Sequence, residues 1–259
     1  MCVHEDHDLV SDSIVEYSRL GDCDVLTKLW GQSEMIIGAT EQPIYVDVGA
    51  NIGACVLEML LTSTAPIVAF EPHPRDQFCL TSTLVALSQE QRDRVSLFPI
   101  ALGNEKGSGS TIYAAKGNMG NSVVGVVVKD RANRISTQDL YPPIPIQIER
   151  LDTNFNTDSD AWNIPLMKMD AQRFECRILD GMGEVYDFLA MVSTELASDW
   201  LIGQGYSVRG LLDRLRDASF KTYLKHQGFT RAEELLGEPQ EKGLSIVIAK
   251  SKKYWYVPN

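Results

Sequence analysis

Acidic side chains stand in or just after four short apolar runs of this chain: Asp47 within Ile44–Val48, Glu71 after Ile67–Phe70, Asp170 after Leu166–Met169, and Glu195 after Phe188–Val192. The first run leads into Gly49-Ala50-Asn51-Ile52-Gly53, behind which Val56, Leu57, Leu60 and Leu61 recur at helical spacing. Glycines let a backbone approach a ligand closely, and a helix start offers free N–H groups. Glu71 stands 18 residues after Gly53. A carboxylate there accepts hydrogen bonds from both hydroxyls of an adenosine ribose, or else neutralises a helix start. The dinucleotide fingerprint requires G-x-G-x-x-G, whereas this turn reads Gly49-x-Asn51-x-Gly53. Asn51 places a side chain where a pyrophosphate needs open backbone, and Asp47 suits the ammonium of a methionine moiety. S-adenosylmethionine therefore fits the turn better than NAD, and an NAD-linked oxidoreductase is the weaker enzyme reading.

Methyl transfer from a sulfonium is an in-line displacement, in which a protein mainly supplies alignment and a route for the acceptor proton. A hydroxyl acceptor needs a base or a metal to become nucleophilic. Asp170, Glu195 and Lys168 are the candidate catalytic residues. Lys168 lies in an apolar run, where burial lowers an amine pKa unless the amine pairs with an acid. Asp170 acts as base, acceptor orienter or metal ligand, or merely caps a helix. Asp170 and Glu195 together can hold a divalent cation, but two acids do not define a metal site and none is assigned. Glu175 reads as a salt-bridge partner on its own helix. Asn118, Asn121 and Ser122 either hydrogen-bond acceptor hydroxyls or build a turn.

The elements that must position these residues read as an α/β fold. Apolar runs at 44–48, 67–70, 95–98, 166–169, 188–192 and 244–249 alternate with helical patterns, which implies a mostly parallel sheet of roughly seven strands with helices on both faces. Residues 1–40 form an N-terminal helical extension. Its apolar positions, among them Leu9, Val10, Ile14, Leu20, Leu26 and Leu29, either pack on the core or cover a ligand. The rhythm breaks over the insertion 104–163, where glycines and Pro142, Pro143 and Pro145 surround short strands at 123–128 and 144–148. That insertion is expected to be a flap on the substrate side. Residues 207–227 read as a helix with Leu211, Leu212, Leu215 and Phe220 inward, and Gly228-Phe229 as the start of a strand.

The net charge of −11 over 259 residues repels a phosphate backbone, so nucleic acid is not the expected partner. No apolar run is long enough to cross a membrane and no leader is visible, so the expectation is a cytoplasmic protein. Cys2, Cys23, Cys55, Cys79 and Cys176 are scattered. They suggest neither a disulfide framework nor a zinc site. His4 and His7 fall in a terminus expected to be disordered.

The motifs D-V-G-A-N-I-G (47–53), A-F-E-P-H-P (69–74), A-L-G (101–103), N-M-G-N-S (118–122), K-M-D-A-Q-R-F-E (168–175) and S-T-E-L (193–196) occur in the order seen in the FkbM family of methyltransferases, which the chain resembles from about residue 41 onward. The resemblance implies a Rossmann-like class I methyltransferase domain over 41–259, with an antiparallel last strand. It implies S-adenosylmethionine as cofactor, S-adenosylhomocysteine as product, and O-methylation of a sugar or natural-product hydroxyl. By position, Asp47, Gly49, Ala50, Asn51 and Gly53 would hold the methionine part and Glu71 with Pro72 the ribose. Ala101 and Leu102 would meet the adenine. The family pattern D-x-x-G-x-E is here D-A-Q-R-F-E. Arg173 at the glycine position either strains the backbone or reaches the site to bind an anionic substrate group. A scaffold that binds cofactor without catalysis is the alternative outside the enzymes.

Overall fold

The computed structural model describes residues 1–5, 8–37, 43–125, 140–154, 163–196, 206–224 and 244–250. The chain opens with two helices, α1 (Leu9–Tyr17) and α2 (Gly21–Ile37). The buried Asp8 caps α1 by accepting from Ser11 N, and Ser18 ends it in the left-handed conformation at φ 58°. There follow β1 (Pro43–Val48), α3 (Ala54–Thr62), β2 (Ile67–Phe70), α4 (Pro74–Val85), α5 (Gln89–Arg92) and β3 (Val95–Phe98). Next come β4 (Ala101–Leu102), β5 (Ser108–Ala115), β6 (Asn118–Val124) and β7 (Ile144–Glu149). The remainder is β8 (Asn163–Met169), α6 (Glu175–Asp180), α7 (Val185–Phe188), β9 (Leu189–Leu196), α8 (Val208–Asp217), β10 (Phe220–Leu224) and β11 (Leu244–Lys250).

The main sheet has seven strands in the order β10-β11-β9-β8-β1-β2-β3. The pairs from β9 through β3 are parallel, and β11 runs antiparallel to both of its neighbours. β1 and β8 are buried on both faces, which is why they read as nearly continuous apolar runs. Alternate residues serve the two faces. Ile44, Val46 and Val48 join one core with Met167, Met169, Leu179 and Leu211, whereas Tyr45 joins the other with Leu26, Leu29, Met59 and Leu166. The chain leaves β1 for β2 on one side while β8 docks on the other, so the strand order switches at the end of β1, where open α/β sheets bind ligands.

The segment read as an insertion supplies most of a second, four-stranded sheet, β4-β7-β5-β6. Asn118, Asn121 and Ser122 therefore lie on β6 and not in a turn; the turn precedes them, with Gly117 at φ 76°. α8 ends at Asp217, and Phe220 begins a strand instead of continuing that helix. Ser219 at φ 67° makes the reversal. The strand expected from Gly228 lies outside the described residues.

Two sequence expectations are overturned near the N-terminus. His4 is buried and pairs with Asp76, and Cys2 N donates to Thr83 Oγ1, so residues 1–5 dock on α4, while His7 lies outside the described residues. Cys23 of α2 and Cys55 of α3 form a disulfide. Scattered spacing concealed the pair because two helices bring it together across 32 residues. Loop-closure entropy for this span corresponds to about 3–4 kcal/mol of stability. Complete reduction should lower the urea midpoint accordingly; an unmoved midpoint would show that the bond does not staple α2 to α3.

Candidate active site

The turn after β1 is built by backbone contacts. Gly49 N and Ala50 N both donate to Phe70 O, at 3.0 and 3.1 Å. Gly49 has φ 76°, and a Cβ there would lie 1.9 Å from Asp170 O, so only glycine fits. Asn51 takes φ 52°, a region that Asn tolerates better than most residues. Its own N–H donates to Glu71 Oε2 at 2.7 Å, and its Oδ1 accepts from Ile52 N at 2.7 Å. These two N–H groups are thus spent on the protein's own oxygens, and a diphosphate cannot claim them. That arrangement disfavours NAD on structural grounds.

Glu71 follows β2 and is 5% exposed. Its second oxygen accepts from His73 N at 2.7 Å. Burial, and then the nearby charge of Asp76, push its pKa from the ordinary 4.5 to about 8, against the pull of the His73 and Asn51 N–H groups and of Lys168. Behind it, Asp76 Oδ1 lies 2.6 Å from His4 Nε2, and Asp76 Oδ2 lies 3.6 Å from His73 Nδ1. Burial lowers the His73 pKa.

Lys168 sits on β8 beside β1, in register with Asp47. Its Nζ donates to Asp47 Oδ1 at 3.1 Å and to Gly49 O at 2.7 Å. Burial alone would lower its pKa, but the charges of Asp47, Asp170 and Glu71 outweigh burial and raise it. The lowered pKa that qualifies a lysine as a base is therefore absent. Asp47 is fully buried between this ammonium and Tyr45 Oη, which donates to it at 3.4 Å. Burial raises the Asp47 pKa more than Lys168 lowers it.

Asp170 ends β8, its Oδ1 accepting from Gln172 Nε2 at 2.7 Å. It caps no helix: α6 begins at Glu175 with Phe174 at the cap position. Glu175, 5% exposed, folds its carboxylate back onto the loop and accepts from Ala171 N and Arg173 N, at 3.0 and 3.3 Å. It is a loop anchor and not the salt-bridge partner expected. Burial leads the causes that lift its pKa to about 7.

A cleft of about 920 Å³, counting the part open to solvent, gathers the turn, the strand ends and the second sheet. Of the expected cofactor residues, Gly49, Ala50, Asn51, Glu71, Pro72, Ala101 and Leu102 line it. Asp47 and Gly53 stand behind the lining, Asp47 sealed under Lys168 and Gly53 packed on Leu80. Lys168 and Asp170 line the cleft, while Glu195 is exposed and outside it. Ser122 lines it; Asn118 and Arg173 do not, and the side chain of Asn121 is not described. Val10, Leu20, Met119 and Gln172 also line the cleft and were not singled out as site residues in the sequence. For Val10 and Leu20 the signal existed, in the option that the N-terminal extension covers a ligand. Among the described residues, no group of three or more His, Cys, Asp or Glu side chains could hold a metal ion.

The FkbM methyltransferase domain matches residues 47–222, more than half of the chain. The chain belongs to the FkbM methyltransferase family and is an S-adenosylmethionine-dependent methyltransferase. No curated protein sequence matches it. Among solved structures, the bifunctional kinase-methyltransferase WbdD is similar at 12% identity and a TM-score of 0.50, covering 96% of this chain and 44% of that one. The putative methyltransferase SMU.1697c of Streptococcus mutans, solved with S-adenosylhomocysteine, is similar at 9% identity and a TM-score of 0.46, covering 88% of this chain and 97% of that one. An rRNA methylase from Streptococcus thermophilus is similar at 11% identity and a TM-score of 0.45, covering 88% and 95%. The likeness to WbdD is one of fold.

The raised carboxylates have a measurable consequence. Above about pH 4.5 the folded chain holds protons that the unfolded chain has released, on Glu175 up to about 7 and on Glu71 up to about 8. Their contribution to stability is full below the ordinary carboxylate range and is lost as pH rises through about 7 and then about 8. Asp47 acts in the same direction. The urea midpoint of the ligand-free protein should therefore fall from pH 5.5 to pH 9, and Glu71→Gln should flatten the fall. A midpoint that climbs over this range would contradict the assignment.

Proposed function

We propose that this methyltransferase moves a methyl group from S-adenosylmethionine to a hydroxyl oxygen of a small molecule. The observation that carries this reading is the Asp170 carboxylate, fixed at the strand switch point on the wall of a cleft that a glycine turn and a buried acid also border.

The residues fit the cofactor. Gly49 and Asn51 open the turn to close approach, and Glu71 offers a fixed carboxylate for the ribose hydroxyls. Ala101 and Leu102 line the adenine side. When bound, S-adenosylmethionine supplies an activated methyl group on a sulfonium. Lys168 holds the turn through Gly49 O and is itself held by Asp47, so both are positioning residues. Gln172 orients Asp170, which accepts the acceptor's proton as the oxygen is methylated. Ser122 and the rest of the β6 wall face the acceptor.

A small acceptor is favoured over nucleic acid by the net charge of −11. Among the described residues no helix is long and apolar enough to cross a membrane. Retained activity is supported by the Asp170–Glu175 loop, which keeps its N–H anchors despite Arg173.

Glu71→Ala should weaken S-adenosylhomocysteine binding by roughly 1.5–3 kcal/mol, the loss of a charged hydrogen-bond partner. Unchanged affinity by calorimetry would remove Glu71 from the ribose site. Asp170→Asn preserves shape and removes the charge, and should cut methyl transfer on the order of 10²–10⁴-fold while S-adenosylhomocysteine affinity holds. Transfer would be followed with methyl-labelled S-adenosylmethionine in cell extract; a variant as active as wild type would end the catalytic assignment. Binding of S-adenosylhomocysteine without transfer to any acceptor would favour the scaffold reading instead.

A further inference from the structure

Close to Glu71 the chain buries a second carboxylate. Asp76 is 1% exposed, stands on the first turn of α4 and, like Glu71, lines the cleft. The bend Pro72-His73-Pro74 ties the two acids together. His73 N donates to Glu71 Oε1 at 2.7 Å, while its ring Nδ1 lies 3.6 Å from Asp76 Oδ2. Gln77 closes the bend, its Nε2 donating to Glu71 O at 2.7 Å and its N to His73 O at 3.0 Å. The bend therefore fixes where the two acids stand relative to each other.

Asp76 is held in turn by the N-terminal segment. His4 Nε2 lies 2.6 Å from Asp76 Oδ1, and His4 Nδ1 lies 3.8 Å from Cys79 Sγ, further along α4. His4 N donates to Ser11 Oγ at 3.1 Å, so backbone and ring are both seated. A hydrogen bond to a buried carboxylate favours its ionised form. Asp76 faces Glu71 from α4, and His73, whose pKa burial lowers, faces it from the bend. Lys168 acts on Glu71 from β8 with the opposite sign, but its Nζ is shared by Asp47 and Gly49 O. Asp170, at the end of β8, lines the same cleft, and Arg75 on the first turn of α4 stacks over Tyr141 at 5.0 Å. The charge of Asp76 thus opposes ionisation of Glu71, in the direction that burial also pushes it. Ribose hydroxyls donating to Glu71 would favour the ionised form. The empty site and the occupied site then differ by a proton.

We propose that Asp76, held by His4, is a positioning residue for cofactor binding: its charge acts through Glu71, so that occupancy of the site expels a proton to solvent. This rests on the assignment of Glu71 to the ribose and adds a proton linkage to that contact. It also gives residues 1–5 a part in the cofactor site, although His4 does not line the cleft.

The test is calorimetry of S-adenosylhomocysteine with the full chain, from about pH 6 to about pH 9, in two buffers of different ionisation enthalpy. Near neutral pH the wild type should release most of one proton on binding, and its affinity should climb with pH, by up to about tenfold per unit, until about 8. Asp76→Asn keeps the shape of the side chain; it should move the climb down by about one pH unit and shrink the release at neutral pH. His4→Leu removes the donor and lets Asp76 take up a proton, so it should move the climb in the same direction, with no further movement when the two changes are combined. Glu71→Gln should bind more weakly and lose this dependence on pH. Binding without proton release in the wild type, or a climb that Asp76→Asn leaves in place, overturns the inference, while weaker binding by Glu71→Gln keeps the ribose assignment standing. A climb that moves with Asp76→Asn and not with His4→Leu overturns the role of His4. Wild-type affinity and wild-type proton release in Glu71→Gln remove Glu71 from the ribose site, and this inference with it.

Discussion

The approach of Gly49 to the carbonyl of Asp170 governs the arrangement of the rest. The ends of β1 and β8 come so close that a single added carbon would sit 1.9 Å from that oxygen. The ladder between them runs to its last rung, with Asp170 N donating to Val48 O at 3.0 Å. Lys168, one register step earlier, bridges Asp47 and Gly49 O and locks both strand ends at once. With that junction fixed, the turn can curl back over β2 and deliver Asn51 N to Glu71. Asp170 then has one place to stand, on the wall of the cleft.

Holding charges here has a cost, and its sign clarifies their role. A buried ion pair often contributes little net stability, because desolvation offsets the Coulomb gain. Glu71, Glu175 and Asp47 all have raised pKa values with burial as the leading cause, so the fold resists their ionisation. What they supply is position: each receives hydrogen bonds that define a turn, a loop or a strand junction. Ligand hydroxyls reaching Glu71 would offset part of that cost, since donors favour the charged form.

The main sheet was legible because buried parallel strands and amphipathic helices leave strong periodic signals. The turn, Glu71 and Asp170 were legible because strand ends and glycines mark them. What was hidden depends on partners far apart in sequence. Asp8 reaches Met119 across 111 positions, and His4 reaches Asp76 across 72. No local pattern announces such contacts, and the N-terminal polar residues read as solvated. Asp47 is a different case: its place beside the turn suggested a ligand contact, and strand alternation sets it in the layer of Tyr45, where it pairs with Lys168.

Arg173 shows how a departure from a family pattern can leave the local geometry standing. Its φ is 88°, a region where glycine is at ease and a side chain is strained by on the order of 1–3 kcal/mol. Gln172 before it is also left-handed, at φ 47°. Two such residues in succession persist only if something over-determines the loop. Glu175 does so by accepting from Ala171 N and Arg173 N with one oxygen, while Phe174 packs its ring into the core below. The conformation that glycine would adopt freely is imposed on arginine by its neighbours. That is why Gln172 still reaches Asp170, and why the substitution alters the strain in the loop without dismantling the wall of the cleft.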